Sequence, residues 1–425
     1  MSSTPTSTPQ PDTRDLEYWQ IVWGQLRRNR QAMVALVFIM VLFLLAIFAP
    51  VLAHDAPFVY DGENGTEFPW FRQLFLFEFQ HDHFFNCLML SLLPGLAVLW
   101  GGWRLSTGNA DWPRGRVVVW WGLGFLGAVS TLALLTRIGP LTPQSELERS
   151  YVLEKGVFPP IPYSFRTRDT DFVSEGPGVE VATIDREGNE IMRVNPHWLG
   201  TDAGGRDVAA RLLYGARVAL TIGFIGVAIY VAIGVLIGAC AGYFGGWADI
   251  LISRLVEIMI TFPSFFLILV LVGVLREHED LRNVPKIFVI MFVIGFTSWT
   301  GVARLIRGEF LKFRGREFVL AARALGLSNA RIILRHILPN AIAPALVSAT
   351  FGVAGAILTE SGLSFLGVGI DAPAASWGQM VKSGYENYEW WWVLWPSTAM
   401  IFLTVTAYNI LGEGLRDALD PHLRE

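Results

Sequence analysis

The sequence predicts an all-α integral membrane protein, a multi-span helical bundle with a small extracytoplasmic domain. Three observations carry that prediction. The 425-residue chain is 52% hydrophobic and only 16% charged, with a mean hydropathy of +0.43. A soluble domain carries about 25% charged residues. The apolar residues gather into eight runs, each close to the roughly 20 residues that cross a bilayer as a helix. Lysine and arginine concentrate in alternate loops, the pattern that orients multi-span proteins. The net charge of −4 leaves no electrostatic footprint for nucleic acid.

In chain order, residues 1–16 are rich in Ser, Thr and Pro without apolar periodicity and read as a disordered tail. An amphipathic lead at 17–30 ends in Arg27, Arg28 and Arg30, so 1–30 forms a cytoplasmic unit. The first span is 31–53. Its Val51-Leu52-Ala53 ending suits a signal-peptide cleavage site, but the apolar run exceeds an h-region, which argues for a retained helix. An acidic extracytoplasmic loop follows at 54–83, and two apolar runs, 84–103 and 117–136, make a transmembrane hairpin at 84–136.

Residues 137–217 are the largest extramembrane segment. Alternation over 179–194 predicts a β-hairpin around Glu187-Gly188-Asn189 within an otherwise irregular domain. The remaining spans are 218–241, 255–275 (kinked at Pro263), 286–302, 341–361 and 391–411, within a core of 218–414. A polar loop at 303–340 interrupts this core, and 415–425 is a second tail. Arg304, Arg307, Lys312, Arg314, Arg316, Arg323, Arg331 and Arg335 place the 303–340 loop and both termini in the cytoplasm, with Arg137 a mild exception. Trp120, Trp121, Trp390, Trp391, Trp392 and Trp395 sit near span ends and read as an interfacial belt.

Chemistry-bearing residues are few. Cys87 and Cys240 lie in apolar runs, where cysteine acts as a small hydrophobe. His81 and His83 beside Cys87 read as interfacial, so no metal site, cofactor or catalytic residue is expected. The chain has no Gly-x4-Gly-Lys-Ser/Thr phosphate loop. Among charges within spans, Arg254 and Glu257 are spaced to pair on one helix face. Glu360 reads as a water-exposed helix end, with a place on a substrate path as the alternative.

Two motifs remain. Residues 317–340 read as two short helices joined at Gly326, with Glu317 and Arg323 in the first helix and Pro339 after Leu338. Small Ala321 and Ala322 allow close helix approach, Gly326 allows a turn that bulkier residues strain, and Pro339 starts a new helix. The second motif is Gly200-Thr201-Asp202 followed by Gly205-Arg206-Asp207. Its spacing is not that of an EF-hand, so it reads as a turn and helix cap.

Segment 317–340 resembles the EAA loop of ABC importer membrane subunits, carried by Ala321-Ala322, Gly326 and Leu338-Pro339. Leu320 stands at that pattern's Glu and His336 at its Ile; both departures resemble the peptide-type branch. The Gly200–Asp207 motif, the 241–249 and 364–369 segments, and Gly412-Glu413-Gly414 with Asp420-Pro421 are similar to the same family. The chain is thereby identified as a member of the dipeptide/oligopeptide ABC importer permeases, binding-protein-dependent transport inner membrane components.

The resemblance covers about 196–421 plus the first span. It implies a permease without enzymatic activity in a prokaryotic inner membrane. The implied partners are a sister permease, two ATP-binding subunits, an extracytoplasmic substrate-binding protein, the lipid bilayer and a peptide substrate. Glu317, Ala321, Ala322, Arg323, Gly326, Leu338 and Pro339 become the ATPase-coupling residues. Members generally have six spans, so 84–136 reads as an insertion that preserves the topology downstream. Nickel, a peptide antibiotic or a sugar remain alternative cargoes, and a self-sufficient secondary transporter is the rival class.

Overall fold

The computed structural model describes residues 18–62, 65–70, 86, 156–184, 190–277 and 284–419. The tail 1–16, almost all of the 84–136 hairpin, the His81, His83 and Cys87 group, Trp120, Trp121, Arg137 and the turn Glu187-Gly188-Asn189 lie outside them.

Helix α1 (Tyr18–Arg28) ends at Asn29, whose side chain accepts the Ala32 N–H at 3.1 Å and starts α2 (Arg30–Ile47). Side-chain oxygens at this position satisfy amides that a helix start leaves unpaired. The other end of α2 meets Arg217, which donates to the Ala46 carbonyl at 2.7 Å and the Ile47 carbonyl at 3.1 Å. A cation on terminal carbonyls complements the helix dipole.

After α3 (Ala49–Leu52), strands β1 (Val59–Gly62), β2 (Gly65–Glu67) and β3 (Gly156–Val157) form a sheet in the order β2-β1-β3. Val59 pairs with Val157. The predicted loop 54–83 and segment 137–217 are therefore joined in one small domain rather than being separate pieces. Strands β4 (Glu180–Ile184) and β5 (Glu190–Val194) pair antiparallel and supply the predicted hairpin, with Glu180 opposite Val194.

The central element is α4 (Val208–Thr221), a π turn at Ile222–Gly226 and α5 (Val227–Phe244), together the 37-residue stretch Val208–Phe244. At 1.5 Å per residue it is about 55 Å long. The predicted span began at 218, ten residues after the helix does. Arg211 and Arg217 are fully buried and paired, so the helix starts at Val208.

The predicted single span 255–275 is corrected to two helices, α6 (Gly246–Thr261) and α7 (Ser264–Glu277), that meet at 84°. Pro263 removes an amide and forces Phe262 into an extended conformation, which ends α6 rather than kinking it. Helices α8 (Lys286–Thr297) and α9 (Thr300–Phe313) form the stretch Lys286–Phe313, so the first part of the predicted 303–340 loop is helical. Then come α10 (Glu317–Ala324), α11 (Asn329–Arg331), a π turn at Ile332–Ile337, α12 (Leu338–Ala341), α13 (Ala343–Phe365), α14 (Trp377–Glu386) and α15 (Trp391–Leu419). The last helix continues through Gly412 and Gly414 into the predicted 415–425 tail.

Among the described residues five helical stretches are long and apolar enough to cross a membrane, six if the bent α6–α7 pair is one span. Among the described residues α5 packs most extensively on α9. Gly234, Gly238 and Gly242 recur every fourth residue along α5. A Cβ at Gly234 would fall 2.7 Å from Val302 Cβ, and one at Gly242 would fall 2.5 Å from Phe310 Cβ. Small residues at this spacing let helix backbones approach where lipid offers no hydrophobic drive.

Candidate functional site

Functional candidates lie at opposite ends of the long helix α4–α5. At the α5 end sits segment 317–340. Helix α10 begins with Glu317 in its first turn and ends with Arg323 in its last, charges that suit the helix dipole. It stops at Gly326, where φ is +75°. The Gly326 N–H donates to Arg323 O at 3.0 Å and the Leu327 N–H to Ala322 O at 3.2 Å. This pair of reversed bonds is a Schellman ending, which glycine adopts without the strain of a Cβ. Pro339 lies in the first turn of α12, where its missing amide costs nothing.

Segment 317–340 has two faces. Val319, Ala322, Ile332 and Ile337 point inward and are buried. Phe318, Leu320, Ala321, Arg323 and Leu325 point outward; Leu325 is 81% exposed. Of the two alanines, only Ala322 makes the close internal contact, while Ala321 belongs to the outer surface. An apolar outward patch rimmed by arginines marks an interaction surface.

Polar contacts fix this segment to the spans. Tyr243 at the end of α5 donates to Asn329 Oδ1 at 2.8 Å, and the Arg323 guanidinium lies 5.6 Å over the Tyr243 ring. Arg314 Nη1 donates to the Gly242 carbonyl at 3.3 Å. Arg307 of α9 grips Asp249 of α6 through both carboxylate oxygens, Nη2 to Oδ2 at 2.8 Å. Segment 317–340 is thus tied directly to α5, and α9 in turn to α6. Arg254 and Glu257 form the predicted pair at 2.5 Å, but both are exposed, and such pairs contribute little.

At the α4 end, Gly200 has φ +69°, and a Cβ there would lie 2.5 Å from the Glu175 carbonyl. Asp202 accepts the Gly204 N–H at 2.7 Å and the Arg206 N–H at 3.1 Å, and pairs with Arg206 Nε at 2.9 Å. Asp207 accepts the Ala210 N–H at 2.6 Å and caps α4. The motif is thus a turn followed by a cap. Gly205 (φ +68°) closes the turn, with its carbonyl accepting the Asp169 N–H at 2.8 Å.

Buried charges bind this motif to the rest of the fold. Arg211 Nε lies 3.2 Å from Asp202 Oδ2, and Arg211 Nη2 donates to Gln379 of α14 at 3.0 Å. His197 sits between two carboxylates, with Nδ1 2.8 Å from Asp207 and Nε2 3.5 Å from Asp169. Burial lowers the imidazole pKa, but hydrogen bonds and charge from Asp169 and Asp207 outweigh it and hold it above the ordinary value. Trp392 Nε1 donates to the Thr201 carbonyl at 3.0 Å and its ring covers Gly200 and Gly176. Trp392 is accordingly a clamp on the motif, unlike the exposed Trp391 and Trp395. Sequence position alone had grouped all three.

Glu360 also differs from its expectation. It is fully buried in α13 rather than water-exposed, and accepts from Ser364 and Ser376 hydroxyls, each at 2.7 Å to Oε1. Ser364, four residues on, was the visible signal; Ser376 arrives from the start of α14. Among the described residues no cluster of His, Cys, Asp and Glu has the arrangement of a metal site.

The family described as "Binding-protein-dependent transport system inner membrane component" matches residues 234–425, and "N-terminal TM domain of oligopeptide transport permease C" matches 17–68. A dipeptide transport system permease protein of Bacillus subtilis is 42% identical over 255 residues, covering 59% of this chain and 77% of the relative. An oligopeptide transport system permease protein of Haemophilus influenzae is 37% identical over 262 residues, 61% of this chain and 77% of the relative. A solved inward-facing MetNI methionine ABC transporter aligns at TM-score 0.40 and 18% identity, over 49% of this chain and 96% of that one.

Proposed function

This chain belongs to the family of binding-protein-dependent transport system inner membrane components, and from that membership we propose that it forms half of the translocation pathway of an ATP-driven di- or oligopeptide importer. The named relatives, dipeptide and oligopeptide permeases, support the cargo class. The sister permease forms the other half. Two cytoplasmic ATP-binding subunits supply energy, and an extracytoplasmic binding protein delivers peptide to the domain that carries Gly200–Asp207. Both termini lie in the cytoplasm of a prokaryote.

One observation carries this reading: segment 317–340 turns an apolar, arginine-rimmed surface outward while its inner side is tied to α5 through Tyr243 and packs on α9 through Leu338–Ala341. Closure of the ATPase pair pushes on Phe318, Leu320 and Leu325. The Tyr243–Asn329 bond passes that displacement to α5, the packing of Leu338–Ala341 passes it to α9, and Arg307–Asp249 carries it on from α9 to α6. ATP binding is thus converted to alternating access by a rigid lever, with no chemistry on this chain.

The test is Gly326→Trp in the reconstituted complex. The added Cβ meets nothing within 4 Å in this chain, so the cost to folding is that of one left-handed residue, about 1–2 kcal/mol. Uptake of labelled peptide should be lost while the protein stays in the membrane. Normal uptake would remove the coupling assignment. Uptake by the chain alone, driven by an ion gradient, would favour a secondary transporter.

A further inference from the structure

Away from both sites, α2 and α15 enclose a cleft of about 450 Å³. Its walls are Val34, Ala35 and Phe38 on one side and Leu403, Ala407 and Ile410 on the other, and its mouth is Arg30 and Gln31. From Arg30 to Phe38 the α2 wall rises about 12 Å, close to the roughly 15 Å acyl depth of one leaflet. The two materials are sharply separated: hydrocarbon along the length, cation at the end.

The mouth is strongly basic. Arg27, Arg28 and Arg30 are all exposed, and Arg30 has no carboxylate within ion-pair distance among the described residues. The acids that follow on the same stripe of α15 are exposed Glu413 and Asp417, about one and two turns beyond Ile410, fewer than the three arginines. The adjacent start of α2 adds backbone amides to the same positive end. A neutral lipid tail would fit the walls but leave this charge unanswered.

We propose that this cleft is a binding site for an anionic glycerophospholipid, with one acyl chain along Val34, Phe38 and Leu403 and the phosphate at Arg30 and its neighbours. Bound there, the lipid joins the peripheral α2 to α15 and holds the amphipathic α1 against the membrane surface. The inference uses only the membrane location of the chain and is independent of the cargo.

The experiment is native mass spectrometry of the full chain equilibrated with equal phosphatidylglycerol and phosphatidylcholine of matched acyl chains. Wild type should retain one phosphatidylglycerol in preference to phosphatidylcholine. Arg30→Gln should weaken that retention about fivefold, the worth of one basic residue at an anionic surface, and Arg30→Lys should restore most of it. Thr406 also lines the α15 wall; Thr406→Trp, which fills the cleft and leaves every charge in place, should displace the lipid. Equal retention of both lipids by wild type, or a preference unchanged in Arg30→Gln and Thr406→Trp, would overturn the site.

Discussion

The two ends of the Val208–Phe244 helix are built on opposite principles. At the α4 end, Asp202, Asp207, Arg211 and His197 are buried and held in ion pairs with one another, with Gln379 of the distant α14 bonded to Arg211. At the α5 end, segment 317–340 buries only a thin inner row, and Leu325 and Leu320 face outward. Buried polar networks fix geometry, because any broken member leaves an uncompensated charge. Exposed apolar surface on a rigid support awaits a partner. The first end is an anchor, the second a handle.

The contrast breaks if substitutions at the anchor leave stability unchanged. Asp202→Ala strips the buried Arg211 of its carboxylate and should cost about 3–5 kcal/mol, read as a large fall in melting temperature of the purified chain. Trp392→Phe keeps the ring over Gly200 but loses the bond to Thr201, worth about 1 kcal/mol. A smaller effect follows pH. The folded-state pKa of His197 is raised, so its contribution is complete below the ordinary value of about 6.5 and disappears as pH climbs through the folded value. Wild type should lose melting temperature on the alkaline side of 6.5, and His197→Gln should lose less; parallel curves would remove the charged imidazole from the account. At the handle, Leu325→Asp should change stability by no more than about 0.5 kcal/mol yet reduce uptake, a split that the anchor variants cannot produce.

Hydropathy made the bundle legible because every backbone polar group in lipid must be paired within a helix, and helices of that length leave long apolar runs. The handle was also legible: Gly326, Ala322 and Pro339 act on neighbours within a few residues. The anchor was not. Gln379 lies 168 residues from Arg211, Ala46 lies 171 from Arg217, and Thr201 lies 191 from Trp392. A single sequence shows these arginines only as charges, with no sign of their partners, and Trp392 only as part of a belt. Glu360 failed for the same reason, since half of its hydroxyl cage comes from Ser376 on another helix. At Pro263 the physics was visible but underestimated, because the effect on Phe262 adds to the lost amide.

The coupling claim is tested most directly by a cross-link at the handle. With Cys87 and Cys240 replaced by serine, Leu325→Cys is introduced and the chain is assembled with its ATP-binding subunits carrying single surface cysteines. The Leu325→Cys chain should cross-link to an ATP-binding subunit, with a yield that changes between nucleotide-free and ATP-bound states. An assembled complex that transports peptide but gives no cross-link from this position in either state would contradict it.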